Sequence, residues 1–461
     1  MRIDAGRTGP YCDGLSRRSF VKLGVAGMAA AGLGDVGRAL AASSSASASQ
    51  ATAKSCLLIW LDGGPSHLDL YDLKPEAPEE IRGLWKPIGT NVPGFEISEL
   101  FPMQAKVADK FSIVRSLHHD TGDHFAGGHR MLTTKDMGVS GARNSQRFPG
   151  LGAILSQQLG ANQSGVPPYV GIPYAATIGL RPGYFGGNLL GAQYDPFNTD
   201  GDPNAEGFKV ANLEPVGGLS LDRLESRRSL VEHFDRVLRD PSTEATYNAI
   251  DQFDRDAFDF VTGTRARKAF DINREEPRLR DRYGRDNWGQ STLLARRLVE
   301  AGSRFVTVHL GGWDHHWDLE KGMQNYLPMV DRLFSTLLLD LESRGLLSET
   351  LVVLCGEFSR TPRMNDGGNG GPARSQGTPG RDHWGDSMFC LLAGGGLRGG
   401  QIVGSTDRKG YAPATRAVTP SNLHATIYKA MGVDRNLQLL DHQGRPVNVL
   451  EDPTEIAELF G

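Results

Sequence analysis

Asp314, His315 and His316 place a carboxylate and two imidazoles shortly after an apolar segment of the chain, 304–310. This segment is typical of a buried β-strand. In open α/β sheets, ligands bind beyond the carboxyl ends of the parallel strands. Carboxylate and imidazole are both ligands of divalent transition metals, so the cluster predicts a metal site. The alternative is that the three side chains cap the next helix and face water.

Two further clusters accompany predicted strands later in the chain. Glu357 follows the apolar run 351–355, and Asp382 with His383 precedes the apolar run 387–393. The loop before His383 is too rich in Gly, Pro, Asn and Ser to be a packed element. Acidic and imidazole side chains beside successive strands indicate one shared site.

Two arginines stand next to these candidate ligands. Arg360 follows Glu357 by three residues, and Arg381 immediately precedes Asp382. Because a guanidinium binds a tetrahedral oxyanion through paired donors, we expect both arginines to hold the anionic part of a substrate. The alternative is that they form ordinary surface salt bridges.

The N-terminal half contributes an acid and a histidine-rich segment. Asp62 ends the apolar run 55–61, and a second predicted strand covers 111–117. Four imidazoles then fall within twelve positions, at His118, His119, His124 and His129. This density is too high for core packing alone, so we expect at least one of them to face the site. A helix is predicted over 125–133.

The predicted elements form an α/β fold. Apolar residues recur at helical spacing over 326–345, and this helix connects the strands 304–310 and 351–355. A strand, a helix and a strand in succession form a parallel pair with a right-handed crossover. Another helix is predicted over 290–301. The irregular and then charged segment 166–280 predicts an insertion or cap that shapes the substrate pocket.

Residues 1–41 resemble a twin-arginine export signal, with Arg17 and Arg18 before a short apolar run rich in Gly and Ala. The alternatives are a basic tail or a membrane anchor. The apolar run is too short to span a bilayer well, so no stable membrane insertion of the mature chain is expected. We predict a linker over 42–54, a folded domain over 55–461, and a periplasmic or extracellular location.

Composition narrows the class of protein. The chain has 461 residues, of which 39% are hydrophobic, enough for a large core. Removal of the signal takes away six basic and three acidic side chains, so the formal net charge moves from −4 to −7. An acidic chain is a poor candidate for nucleic-acid binding. Cys56, Cys355 and Cys390 lie in predicted strands and are expected to be buried thiols, not disulfides.

The combined motifs resemble the domain of unknown function 1501 family, which is similar in fold to the alkaline phosphatase and sulfatase superfamily. The motifs are Gly63 to Asp69, Asp72 to Pro75, Gly312 to His316, Glu357 to Pro362, Gly380 to His383 and Gly394 to Gly396. The resemblance extends from about Cys56 to the end. It implies an α/β/α sandwich with a mostly parallel central sheet and with divalent metals at strand ends. These metals bracket a nucleophile that attacks a phosphate or sulfate ester.

The resemblance also implies ligands for two ions. Asp314, His316 and His383 match the set that holds one ion, with His315 and Asp382 as alternates for their neighbours. Asp62 and Glu357 fall at the carboxylate positions of the second ion. Phe358 occupies the place of an expected histidine there.

The nucleophile position falls near Thr121 to His124, with His124 the nearest match. Depending on whether Glu357 bridges two ions, His124 is a ligand, a general base or a phosphoryl acceptor. The resulting hypothesis is an exported hydrolase that uses one or two Zn, Mn, Mg or Ca ions on a small-molecule or glycan ester. The rival is a non-catalytic protein that binds metal, glycan or a partner protein in the same pocket. The oligomeric state stays open.

Overall fold

The computed structural model describes residues 51–137, 148–211, 213, 260, 263–367, 377–441 and 443–461. The predicted signal peptide lies outside the described residues. So do residues 212, 214–259 and 261–262 of the predicted insertion 166–280. No helix in the described part of the chain is both long and apolar enough to cross a membrane.

A single large sheet forms the centre of the domain. Its eight strands are β1 (Ser55–Asp62), β2 (Phe111–Leu117), β3 (Tyr169–Ile172), β4 (Phe197–Asn198), β5 (Phe305–Gly311), β6 (Thr350–Cys355), β7 (Met388–Gly394) and β8 (Ile402–Val403). They lie side by side in the order β8, β2, β7, β6, β1, β5, β3, β4. All pairs are parallel except those of β7, which is antiparallel to β2 and to β6. The prediction of a mostly parallel central sheet is confirmed.

Helices cover both faces of the sheet. They are α1 (His67–Leu70), α2 (His124–Thr133), α3 (Leu151–Leu159), α4 (Thr264–Phe270), α5 (Pro277–Tyr283), α6 (Asn287–Ala301), α7 (Leu319–Ser343) and α8 (Pro420–Met431). Alternate residues of β1 enter opposite cores because successive side chains of a strand point to opposite faces. Ile59 packs in the core that contains α6 and α7, and Trp60 packs in the core that contains α2, α3 and α8. The domain is therefore a three-layer sandwich.

The direction of β7 decides where the third predicted cluster lies. An antiparallel strand begins at the edge of the sheet where its parallel neighbours end. Asp382 and His383 precede β7, so they reach the same edge as the residues that follow β1, β5 and β6. The prediction that the sheet of the C-terminal half is parallel is therefore wrong for β7. This antiparallel strand brings His383 to the site.

Four short strand pairs complete the described structure. They are Pro87–Gly89 with Glu96–Ser98, Ser359–Arg360 with His383–Trp384, Ser405–Thr406 with Pro413–Thr415, and Gln438–Leu440 with Pro446–Asn448. The second pair, which we call the site ribbon, joins the segment after β6 to the segment before β7. It therefore connects two of the predicted clusters directly.

Two further differences concern boundaries. Helix α7 begins at Leu319, seven residues before the predicted start, and it contains Pro328. A proline usually marks the end of a helix, which is why the first turns are not recognisable from sequence. Strands β3 and β4 lie within 166–280, so the first part of the predicted insertion is an integral edge of the sheet.

The three cysteines of the described chain are buried and free of disulfides, as we predict from their strand positions. Burial raises the pKa of the Cys56 thiol well above its usual range. Burial likewise raises the pKa of the Cys390 thiol, so both are neutral packing groups.

Candidate metal centre

Asp314 reaches the edge of the sheet through a tight turn after β5. Gly312 adopts a φ of 103°, and a Cβ there would lie 2.7 Å from the hydroxyl of Tyr326. Only glycine fits such a position. The turn brings the Trp313 amide within 3.2 Å of the Asp62 carbonyl oxygen, so the segment lies across the end of β1.

Three imidazoles converge on the Asp314 carboxylate. Its Oδ1 lies 3.1 Å from Nε2 of both His316 and His383, and these two nitrogens are 2.9 Å apart. Its Oδ2 lies 3.3 Å from Nε2 of His124. The side chains belong to α2, the loop after β5 and the site ribbon, so the cluster exists only in the folded chain.

The opposite nitrogen of each imidazole is held by an oxygen acceptor. The Nδ1 contacts are His124 to Glu357 Oε1 at 2.8 Å, His316 to Asp382 Oδ1 at 2.6 Å, and His383 to the Gly122 carbonyl oxygen at 2.7 Å. A carbonyl or carboxylate oxygen accepts, so Nδ1 carries the proton in each ring. Metal-bound histidines show this arrangement, in which the outer partner fixes the ring and leaves Nε2 for the ion.

Electrostatics favours a cation at this point. Burial raises the pKa of Asp314, but hydrogen bonds from the three imidazoles outweigh that effect and hold it well below its usual range. Burial lowers the pKa of His124, yet its hydrogen bonds to Asp314 and Glu357 bring the pKa to about 9. The hydrogen bond to Asp314 likewise raises the pKa of His316. Positive charge is therefore stabilised beside Asp314.

The residues fit one divalent ion. Asp314, His316 and His383 supply a carboxylate and two imidazoles, and three protein ligands with an open position are typical of catalytic zinc sites. Tetrahedral zinc ligands lie about 3.3 Å from one another, close to the 2.9 to 3.3 Å separations observed here. Side-chain exposure of 43% makes Asp314 accessible from solvent. His124 faces the remaining position, and its donor atom lies within 4.8 Å of those of Asp314 and His383.

Asp62 does not belong to this ligand group. It is 6% exposed, and its carboxylate accepts hydrogen bonds from the Trp60 indole at 3.2 Å and the Ile178 amide at 3.0 Å. His309 Nε2 lies 3.0 Å from its Oδ2. The expected ligand of a second ion is thus fully engaged with protein groups.

Glu357 also has a different role from the predicted one. It is completely buried, and its Oε1 receives the Gly63 amide at 2.9 Å as well as the His124 ring. Burial raises the pKa of this carboxyl group. Glu357 therefore stands behind His124 and orients it, whereas we predicted direct metal contact.

Phe358 fills the space where the second ion was expected. Its ring centroid lies 4.8 Å from that of His124 and 4.6 Å from that of His383, and the residue is 1% exposed. An aromatic ring offers no ligand atom. The geometry therefore accommodates one ion, not two.

The two arginines are structural groups. Arg360 is completely buried, with Nη2 2.6 Å from Asp314 Oδ1 and Nε 2.8 Å from the Gly64 carbonyl oxygen. Arg381 is also completely buried, and its Nε lies 2.9 Å from Asp69 Oδ2. The other donors of Arg381 contact the carbonyl oxygens of Thr361, Pro362, Ile81 and Arg82. Arg360 thus fixes Asp314, and Arg381 connects several loops. We predicted that both arginines would bind the anionic part of a substrate, but their donors are occupied by protein groups.

Two of the four residues in the histidine-rich segment serve packing. His119 Nε2 contacts the Glu357 carbonyl oxygen at 2.6 Å, and His129 Nδ1 contacts the Lys135 carbonyl oxygen at 2.8 Å; both side chains are buried. His124 is the member that enters the cluster. It stands at the first position of α2, after the N-cap residue Asp123.

Thr121 and His315 lie beside the cluster without joining it. The Thr121 hydroxyl accepts the Asp123 amide at 3.1 Å, which is a loop contact. The His315 ring packs 5.5 Å from that of Tyr326 and against Gly322 of α7. Asp382, the alternate to His383, supports His316 instead.

Sequence reasoning missed two contributors. The Gly122 carbonyl oxygen that orients His383 carries no side-chain signal, so no pattern identifies it. His309 lies inside β5 among apolar residues, and its register opposite Trp60 is what directs it to Asp62. A histidine two residues before a strand end, on the same face as a neighbouring acid, is the signal that points to such a pair.

Several solved structures resemble the chain weakly. A phosphonate monoester hydrolase from Silicibacter pomeroyi has 11% identity and a TM-score of 0.39, covering 83% of this chain and 74% of its own. The lipoteichoic acid synthase from Listeria monocytogenes has 10% identity and a TM-score of 0.37, covering 84% and 74%. A protein in the alkaline phosphatase superfamily from Vibrio parahaemolyticus has 9% identity and a TM-score of 0.37, covering 84% and 68%.

Among curated proteins, none matches the chain in sequence. One family model, in contrast, matches residues 53–460, which is nearly the whole described domain and includes every residue of the candidate metal centre. The chain therefore belongs to the family described as "Protein of unknown function (DUF1501)".

Proposed function

We propose that the protein is a metal-dependent hydrolase of phosphate or sulfate esters. One observation carries the proposal: three imidazoles direct Nε2 at Asp314 while their Nδ1 atoms are held by oxygen acceptors. A divalent ion bound there would polarise an ester oxygen and lower the pKa of water. Zn, Mn, Mg and Ca are all candidates, with Zn favoured by the nitrogen-rich ligand set.

The remaining residues position the reacting groups. Arg360 holds Asp314 from the buried side, which leaves the exposed side of the carboxylate open to a substrate. His124 Nε2 is directed at the other carboxylate oxygen, 3.3 Å from Asp314 Oδ2. A cation bound at Asp314 would lower the pKa of His124 from the value of about 9 that this carboxylate favours. We assign the neutral ring the role of proton acceptor for an attacking water, with Glu357 stabilising the imidazolium that forms. The substrate would be a small-molecule or glycan ester.

The test combines metal analysis with turnover of aryl phosphate and aryl sulfate. The protein as isolated should contain about one ion per chain, and chelation should abolish turnover until the ion is restored. Asp314→Asn should remove turnover, whereas Asp386→Asn, which changes an exposed carboxylate three residues from His383, should not. Protein loaded with each candidate ion that hydrolyses neither ester would rule out the hydrolase.

A binding protein without catalysis is the second candidate function. It is favoured by the position of Thr121, whose hydroxyl accepts the Asp123 amide in a loop contact and does not join the cluster. Phe358 also removes one of the two ion positions. Stoichiometric metal binding together with an absence of ester turnover would support this candidate.

We further propose that the chain is exported by the twin-arginine route to the periplasm or beyond. The support is the sequence pattern around Arg17 and Arg18. Export of a chain that is already folded suits a metal centre assembled from distant segments.

A further inference from the structure

A positively charged cleft lies beside the loop that follows Thr406. It has a volume of about 540 Å³ and is lined by Lys74, Arg408 and Lys409, together with Glu76 and apolar residues. Arg408 and Lys409 are exposed, and neither side chain forms an ion pair with any residue in the described ranges. Lys74 is paired with Asp72, so Arg408 and Lys409 against Glu76 leave a small positive excess in a chain of formal net charge −4.

A buried carboxylate holds the cleft in shape. Asp72 is 6% exposed, lies 3.1 Å from Lys74 Nζ, and accepts a hydrogen bond from the Thr406 hydroxyl. Lys74 Nζ also donates to the Thr406 carbonyl oxygen at 3.4 Å. Lys74 adopts a φ of 48°, a left-handed conformation that is unfavourable for a residue other than glycine. The motif from Asp72 to Pro75 therefore fixes one wall of the cleft against the other.

The opposite wall is attached to the site ribbon. His67 Nε2 contacts the Gly410 carbonyl oxygen at 2.9 Å, and its Nδ1 contacts Ser359 Oγ at 2.7 Å. The Trp384 indole donates to the Tyr411 carbonyl oxygen at 2.7 Å. Both strands of the ribbon that carries metal-centre residues are thus bonded, directly or through His67, to the loop that carries the cleft cations.

We propose that this cleft binds a second anionic group of the substrate, which would be an oligosaccharide bearing more than one sulfate or phosphate. This inference rests on the proposed hydrolase function, since one ester is cleaved at the metal centre while another is held in the cleft. Arginine and lysine donors match the oxygens of both anions. The half-buried rings of Trp384, next to His383, and Tyr411, two residues after Lys409, lie 5.6 Å apart and offer apolar faces to a sugar.

The first test measures binding and needs no turnover. Dextran sulfate should bind the full chain, and uncharged dextran of the same length should not. The double variant Arg408→Ala with Lys409→Ala should weaken binding about tenfold, because two cation–anion contacts are lost. The control is Arg265→Ala with Lys268→Ala, which removes an exposed arginine and lysine from α4 and should leave the affinity unchanged. Equal affinities of the two double variants for dextran sulfate would overturn the proposal that the cleft binds anions. Equal binding of dextran sulfate and dextran would overturn it as well.

The second test connects the cleft to the metal centre. With metal-loaded protein, the ratio of kcat/KM for a disulfated over a monosulfated disaccharide should fall about tenfold in the Arg408 and Lys409 double variant. An unchanged ratio would separate the cleft from the reaction and overturn the proposal. An absence of turnover in the wild-type protein would instead count against the hydrolase function. The binding measurement would still decide whether the cleft binds anions.

Discussion

The Nε2 atoms of His316 and His383 lie 2.9 Å apart, although 67 positions separate the two residues in the chain. Each ring has its Nδ1 on an oxygen acceptor, so the two Nε2 atoms share at most one proton or a cation. Asp314 Oδ1 lies 3.1 Å from both nitrogens. This contact is the strongest single indication of the candidate metal centre.

Substitution of His316 should distinguish a metal ligand from its neighbour. His316→Ala removes an imidazole in contact with Asp314 and His383, so we expect zinc affinity to fall by at least about 100-fold in calorimetry. His315→Ala is the matched control, because that ring packs on Tyr326 and contacts none of the cluster.

The thermal stability of both variants has to be compared, since His315 is itself largely buried. An equal loss of zinc affinity in His315→Ala would contradict the assignment of His316.

Phe358→His tests whether the second ion position lacks only one ligand, the imidazole that Phe358 replaces, or more than one. We expect the number of bound ions to stay at about one per chain. Asp62, the other expected ligand, is already engaged with Trp60, Ile178 and His309 and is not available to an ion. Metal analysis of the dialysed variant measures the count, and a rise to two ions would show that Phe358 alone blocks the second position.

Arg381→Lys should destabilise the fold. Lysine cannot replace the five donors that contact Asp69 and four carbonyl oxygens, so buried acceptors would be left without partners. We expect the free energy of unfolding to fall by about 3 to 5 kcal/mol in urea denaturation. Arg363→Lys, at an exposed position, should change it by less than about 0.5 kcal/mol.

A different result would restore the predicted role of Arg381. If Arg381→Lys left the free energy of unfolding unchanged and raised KM for an ester, the guanidinium would be acting on the substrate.

Stability should decrease as the pH falls from about 6.5 to about 4. Burial lowers the pKa of His424 to about 4, and its Nε2 lies 2.8 Å from the Met131 carbonyl oxygen. Because an unfolded histidine titrates near 6.5, the unfolded state binds the proton first in this range. Above pH 6.5 both states are neutral and the stability is complete. The expected loss from this residue is about 3 kcal/mol.

His424→Gln is the variant that checks the origin of this loss. Glutamine retains an amide donor near Met131 but does not titrate. Urea unfolding at pH 7, 5.5 and 4.5 measures the free energy of unfolding of both proteins. Between pH 7 and 4.5, this free energy should fall by up to about 3 kcal/mol less in the variant than in the wild type. An identical decline in variant and wild type would assign the acid sensitivity to other groups, among them the buried His67.

Replacement of Arg17 and Arg18 by lysine should block export. The charge is retained, so a general basic tail or a membrane anchor would still function, whereas the twin-arginine route depends on the arginine pair. Cell fractionation should find uncleaved precursor in the cytoplasm for the double variant and processed protein outside it for the wild type. Normal processing of the variant would exclude the proposed route.

The sequence by itself determined the class of fold and several of the residues that meet at the candidate site. Apolar runs and helical spacing are local properties, so the strands near 55–61, 111–117 and 351–355 and the helix α2 could be identified residue by residue. Buried parallel strands have continuous apolar runs, and the residues beyond their carboxyl ends are the ones that meet. This rule applies to Asp314 and His316, whereas His383 joins them only through the ligand set that the family resemblance implies.

Only the tertiary structure decided the roles of the other polar residues. Arg360, Arg381, Asp62 and Glu357 have the residue types of a binding site, but their partners come from distant segments, and many of those partners are backbone amides and carbonyls. Burial and hydrogen-bond partners depend on how segments pack, and no local pattern encodes them. The reversed direction of β7, a property of the whole sheet, likewise decided that His383 would meet His316.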